Sequence, residues 1–229
     1  MNAFRLNITK YLAGAAISCL VTSAFAAPTV YSDRSSFMSA VGTTVTDNYT
    51  NPGYAMPSGQ YALSDAAMSA VVGQTTYTTT GFSNWNNVNS SLGLYCSGCN
   101  ASFKLGFAST SVGNSSGVYG MGFDIYISHG FYAYVTYGDN STSSLAMPYS
   151  INNGGFFGLT SANGIKSVNF GLANGGGVSD GTTGYLQIKN LTVAGAPAPA
   201  APVPEPESYA MLLAGLATLG AITRRRKQA

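Results

Sequence analysis

The chain has 229 residues, with 10 Lys and Arg against 8 Asp and Glu, a net charge of +2, and 28 glycines. Setting aside the two ends assigned below leaves Arg34, Lys104, Lys166 and Lys189 against Asp33, Asp47, Asp65, Asp124, Asp139 and Asp180, a body near −2. That lack of a concentrated positive field excludes nucleic-acid binding and peripheral attachment to anionic lipid.

The amino-terminal stretch reads as a secretory signal peptide over residues 1–26. Arg5 and Lys10 supply a positive n-region, Tyr11 to Val21 an apolar h-region, and Ala24-Phe25-Ala26 a cleavage site, cut between Ala26 and Ala27. Ala16-Ile17-Ser18-Cys19 is a weaker lipoprotein-type alternative, because it lacks the leucine three residues before the cysteine.

Residues 27–193 form one body of ordinary domain size. Ser32-Asp33 predicts the cap of a short helix, Arg34 to Val41, with Phe37, Met38 and Val41 packing on a sheet. No other helical pattern is evident. Cys96-Ser97-Gly98-Cys99 reads as a small-loop disulfide that staples a turn, as expected outside the cytoplasm. A redox site of the C-x-x-C type is the alternative, but the strand Phe103 to Phe107 follows where a helix should open.

Beyond it, alternation dominates. Tyr119, Met121, Phe123, Ile125 and Ile127 form one apolar face, and Phe131, Ala133, Val135 and Tyr137 repeat the pattern after the turn Ser128-His129-Gly130. The pair reads as an antiparallel hairpin. Further strands are predicted at Ser144 to Met147, Phe156 to Thr160, Ile165 to Leu172 and Tyr185 to Val193, with Asn- and Gly-rich turns between. Many short strands without βαβ alternation predict an all-β fold, an antiparallel β-sandwich of jelly-roll or lectin-like type.

Residues 194–202 alternate Ala and Gly with Pro and read as an extended spacer of ~25 Å. The tail, 203–229, then has three parts with separate physical jobs. Pro204-Glu205-Pro206 is denied regular hydrogen bonding and stays accessible to an enzyme. Residues 209–222 are uncharged and apolar, ~21 Å as a helix, which is short of the ~30 Å hydrocarbon core and makes a marginal anchor. Arg224, Arg225, Arg226 and Lys227 form a stop that stays cytoplasmic. A short apolar tail after a polar processing site follows the logic of a sorting signal that is cut off.

This three-part tail resembles the PEP-CTERM sorting signal of Gram-negative bacteria. The resemblance implies recognition by exosortase, a multi-spanning membrane peptidase, and an association with exopolysaccharide, biofilm or floc formation. Glu207 stands where that family often has Ser or Ala. Three segments of the body, Phe156 to Ser161, Ile165 to Phe170 and Ile188 to Val193, resemble the last strands of a common PEP-CTERM architecture read as lectin-like. That family often has Asp where Lys189 stands, so the resemblance implies no bound cation here.

Sequence patterns for catalysis are few. Asp124 lies on a predicted strand opposite the apolar face, and His129 lacks an accompanying Gly-x-Ser-x-Gly elbow. A zinc site needs about four N or S ligands, and a single histidine with two cysteines does not supply them. The expectation is no catalytic residue, no metal and no cofactor. Binding is better served. Trp85 between asparagines and Tyr132 with Tyr134 on an outward strand face are candidates for stacking on sugars. The competing reading has Trp85 plugging one end of the sandwich and the tyrosines half-buried with wet hydroxyls. The expected role is thus an exported, non-enzymatic surface or matrix protein, with a carbohydrate-binding module as the alternative.

Overall fold

The computed structural model describes residues 27–56, 58–59, 62–81, 85–98, 102–148, 150, 154–171, 185–199 and 209–217. The predicted leader 1–26 with the Ala26/Ala27 cleavage point, Cys99, Pro204-Glu205-Pro206 and Arg224 to Lys227 lie outside the described residues.

In chain order the strands are β1 Thr29–Tyr31, β2 Thr44–Asp47, β3 Thr76–Thr79, β4 Asn86–Asn89, β5 Leu94–Ser97, β6 Phe103–Gly106, β7 Val118–His129, β8 Tyr132–Tyr137, β9 Thr142–Ala146, β10 Gly155–Gly171 and β11 Tyr185–Ala194. Two helices, α1 Arg34–Ser39 and α2 Asp65–Val72, interrupt the first half. Asp33 caps α1 by accepting from the Ser36 amide, as its sequence position predicted. Helix α2 was not anticipated, although Ser64 caps it and Gly73 ends it in the left-handed region.

All pairings between the strands are antiparallel, and all eleven belong to one hydrogen-bonded network. Strand β10 is the reason. Its first half pairs with β1 and β7, its second half with β6 and β8. Gly155 lies opposite Ile125 and Gly171 opposite Tyr132. A straight strand would hold the two glycines ~53 Å apart, whereas the chain from Ile125 to Tyr132 can span at most ~25 Å. β10 must therefore fold back on itself. The reversal falls near Asn163 and Gly164, whose carbonyls both accept from the Gly138 amide, and Gly164 has φ 73°.

The result is two layers sharing one strand. One runs β1-β10-β7-β11, with β2 and then β5-β4 along the outer side of β11; the other runs β3-β6-β10-β8-β9. The antiparallel all-β expectation holds. The strands form a single sheet doubled over through β10, close to a barrel. The sequence read Phe156 to Thr160 and Ile165 to Leu172 as two strands of no stated partnership. What it could not show is that they are consecutive halves of one strand.

The core fills the space between the layers. Met121, Phe123 and Ile125 from β7, Ala133 and Val135 from β8, and Val168 and Phe170 from β10 are all buried. Phe123 meets Phe170 edge-on across the layers at 5.4 Å, and Tyr95 meets Phe103 at 5.1 Å. Burying each such ring contributes roughly 1.5–3 kcal/mol.

The alternation predicted for β7 is thus seen, but its other face is also covered. A Cβ on Gly120 would meet Val41 at 3.0 Å and Phe37 at 3.2 Å, and one on Gly122 would meet Phe156 at 2.7 Å. Those glycines let α1 lie flat on the outside of the sheet, where Phe37, Phe156 and Ala194 make a small second cluster. Met38, expected to pack there, is instead 40% exposed.

The spacer begins slightly later than expected. Ala194 is the last residue of β11 and is buried, and Gly195 exchanges backbone hydrogen bonds with Gly42 and Thr43. In the tail a helix is described over 209–217, with Met211, Leu212, Leu213 and Leu216 exposed by 57–76%. Among the described residues no helix is long and apolar enough to cross a membrane.

Candidate functional site

Three groups of residues merit attention, and the structure separates them clearly. The first is the outer face of the β3-β6-β10-β8-β9 layer. Strand geometry alternates side chains between faces. With Phe103, Leu105, Val168, Phe170, Ala133 and Val135 turned inward, Lys104, Asn169, Tyr132 and Tyr134 face out. Asn169 pairs in register with Lys104 on one side and Tyr134 on the other, and Tyr134 pairs with Ser144 beyond. The rings of Tyr132 and Tyr134 stack at 6.4 Å and 30°. Tyr134, Lys104, Asn169, Thr80 and Ser144 line one shallow groove; Tyr132 stands behind Tyr134 and does not line it. Thr80 donates to Asn169 Oδ1 at 2.9 Å.

Trp85 is placed elsewhere, immediately before β4, with its carbonyl accepting from Gly98 at 2.7 Å. It is 56% exposed, so it does not plug an end of the fold. The structure does not bring it into the groove of Tyr134.

The second group surrounds Asp124. Arg34 donates through Nε to Asp124 Oδ1 at 2.9 Å, through Nη1 to Thr192 Oγ1 at 2.9 Å and through Nη2 to the Asn190 carbonyl at 2.8 Å. Asn190 Nδ2 donates to Asp124 Oδ2 at 2.6 Å, and Phe156 lies under the guanidinium at 5.1 Å. Both carboxylate oxygens are thus occupied, and the group reads as a clasp between α1, β7 and β11. Lys189 lies opposite Asp124 in the ladder and sits over Tyr126 at 5.2 Å. His129 closes β7 opposite Tyr185.

The third group is buried. Asp47 accepts from the Tyr49 amide and from the Tyr54 hydroxyl, with Tyr77 Oη at 3.4 Å. Tyr49 bonds Tyr77 through the hydroxyls at 3.1 Å, and Tyr95 donates to Asn86 at 2.8 Å. Burial raises the Asp47 carboxyl above its ordinary range, against the hydrogen bonds that lower it. Burial likewise holds Tyr49, Tyr77 and Tyr95 well above the usual phenol. Exposed Asp33 and Asp139 move the other way, lowered by hydrogen bonds from Ser36 and Ser141 respectively. Among the described residues no group of three or more His, Cys, Asp or Glu could hold a metal ion.

Cys96 is buried at the end of β5, opposite Asn87. Its predicted partner Cys99 lies outside the described residues.

The sequence missed Lys104 and Asn169 as companions of Tyr134, because their adjacency depends on the pairing of β6, β10 and β8. It also missed the Arg34 clasp. A lone arginine on a short helix gives no signal that two strands 90 and 158 residues away receive it.

Fold and tail together define the class: an antiparallel β domain, then a proline-containing spacer, then an exposed apolar helix that does not join the core. Residues 202–227 match the PEP-CTERM protein-sorting motif, so the chain carries the sorting signal of a PEP-CTERM protein. No curated protein sequence matches the chain. No solved structure matches it either. The motif implies export and sorting toward the cell surface through exosortase.

Proposed function

We propose that this is a non-enzymatic surface or matrix protein, held briefly in the inner membrane by its tail and then processed near Pro204-Glu205-Pro206. The sorting motif at 202–227 carries the reading. In this scheme the leader is removed between Ala26 and Ala27, and residues 209–222 insert with Arg224, Arg225, Arg226 and Lys227 on the cytoplasmic side. Exosortase cuts, and the β body remains among envelope exopolysaccharides of a biofilm. The exposure of Met211, Leu212, Leu213 and Leu216 supports the insertion step, because leucines left in water gain by entering lipid. Joining of Cys96 to Cys99 fits the exported setting, and Gly98 at φ 53° supplies the tight turn such a bridge needs. The test is fractionation of cells expressing the chain with residues 203–229 deleted. The body should stay folded but be misplaced, and normal surface delivery of the truncated chain would contradict the reading.

A second reading, a carbohydrate-binding module, is favoured by the stacked Tyr132 and Tyr134 on the outer strand face. Pull-down on the native exopolysaccharide tests it, and absence of binding would count against it.

A further inference from the structure

We propose that the groove on the five-stranded face binds an anionic polysaccharide, with Tyr134 as the stacking wall, Lys104 as the carboxylate contact and Asn169 as the hydroxyl reader. This rests on the carbohydrate-binding reading and goes beyond it by naming the site and the sugar class.

The groove crosses β9, β8, β10, β6 and β3. At ~4.8 Å per strand the face is about 19 Å across, the footprint of an extended chain and not of a small metabolite. Its chemistry is specific. Among the described residues Arg34–Asp124 is the one ion pair, which leaves Lys104 on this face without a carboxylate partner. No acid lines the groove with it. In a body near −2, an unopposed cation beside an aromatic wall complements a bound negative charge.

Asn169 adds direction. Its Oδ1 is taken by Thr80, which fixes the amide, and its Nδ2 carries no bond from the described residues. The two N–H groups are therefore oriented donors for sugar hydroxyls or a carboxylate. Tyr132 backs Tyr134 at 6.4 Å and restricts its swing, so little rotamer freedom is lost on binding.

Polygalacturonate oligomers as an acidic probe, and dextran as a neutral one, are titrated into the full chain in detergent at low and high salt. The acidic probe should bind more tightly, with affinity falling as salt rises. Lys104→Gln should weaken it on the order of tenfold, as expected for loss of a charge-assisted hydrogen bond, and weaken dextran binding far less. Tyr134→Ala should abolish binding of both, and Trp85→Ala should change neither. Lys104 is exposed, so its replacement leaves the fold intact; thermal unfolding of each variant checks this.

If both probes bind equally and Lys104→Gln has no effect while Tyr134→Ala does, the anionic inference falls and the carbohydrate reading stands. If binding depends on Trp85 and not Tyr134, the groove is the wrong site. If neither probe nor native exopolysaccharide binds, both readings fall.

Discussion

Replacing Arg34 with Ala should destabilise the body by about 2.5–4 kcal/mol, a large loss for one side chain on a six-residue helix. The figure follows from what Arg34 touches. It donates three hydrogen bonds, to Asp124, Thr192 and the Asn190 carbonyl, and covers the Phe156 ring. A hydrogen bond to a charged group contributes about 1.5–3 kcal/mol when well desolvated. Here the Arg34 and Asp124 side chains are 30% and 28% exposed, so the three are discounted to about 2–3 kcal/mol in total. The cation–π contact adds ~0.5–1 kcal/mol.

For a domain of this size each kcal/mol lowers Tm by about 2–4 °C, so unfolding by circular dichroism should move down by roughly 5–16 °C. Arg34→Lys should recover little, because an ammonium cannot reproduce the fork that reaches Asp124, Thr192 and Asn190 together. A double-mutant cycle with Asp124→Asn should show coupling above ~0.5 kcal/mol. An Arg34→Ala change within ~0.5 kcal/mol of the parent, or strict additivity with Asp124→Asn, would refute the clasp.

Three other outcomes are expected. Because burial raises the folded pKa of Asp47 above its unfolded value, its contribution is present in acid and lost as pH rises from about 4 through the raised pKa. The parent minus Asp47→Asn difference in urea midpoint should therefore shrink as pH rises through that window; a difference that grows would contradict it. Gly117→Ala should cost about 3 kcal/mol or prevent folding, since Gly117 has φ 102° and a Cβ would lie 2.0 Å from the Ile165 carbonyl oxygen. Retention of the parent Tm would show that the bend of β10 packs differently. Exported protein should carry Cys96 and Cys99 as a disulfide worth about 2 kcal/mol for so short a loop, and mass spectrometry showing two free thiols would refute it.

What the sequence made legible follows from locality. The spans of β7, β8 and β11 were found nearly residue for residue, because a period-2 apolar pattern registers wherever one face is buried. Among the described residues, however, the predicted hairpin does not form: β7 pairs with β10 and β11, and β8 with β10 and β9. The Asp33 cap was equally local. Helix α2 carried a usable signal in Ser64 and Gly73, but its eight residues span barely two turns, too short for a helical period to stand out. The doubling of β10 left no local trace beyond Asn163-Gly164, since only the register with β7 and β8 forces it. The candidate site divides in the same way. Tyr132 and Tyr134 share a face by strand periodicity, whereas Lys104 and Asn169 join them only through cross-strand pairing. The tail was legible because its meaning lies in composition and order, with no tertiary contact required.

The account stands on the tail being a processed sorting signal, and mass measurement of the protein recovered from the cell surface tests this most directly. In cells with an active exosortase the surface form should lack residues 209–229, while Glu205→Ala or loss of the peptidase should leave full-length chain in the inner membrane. Surface protein that still carries Arg224 to Lys227, with or without the peptidase, would contradict it.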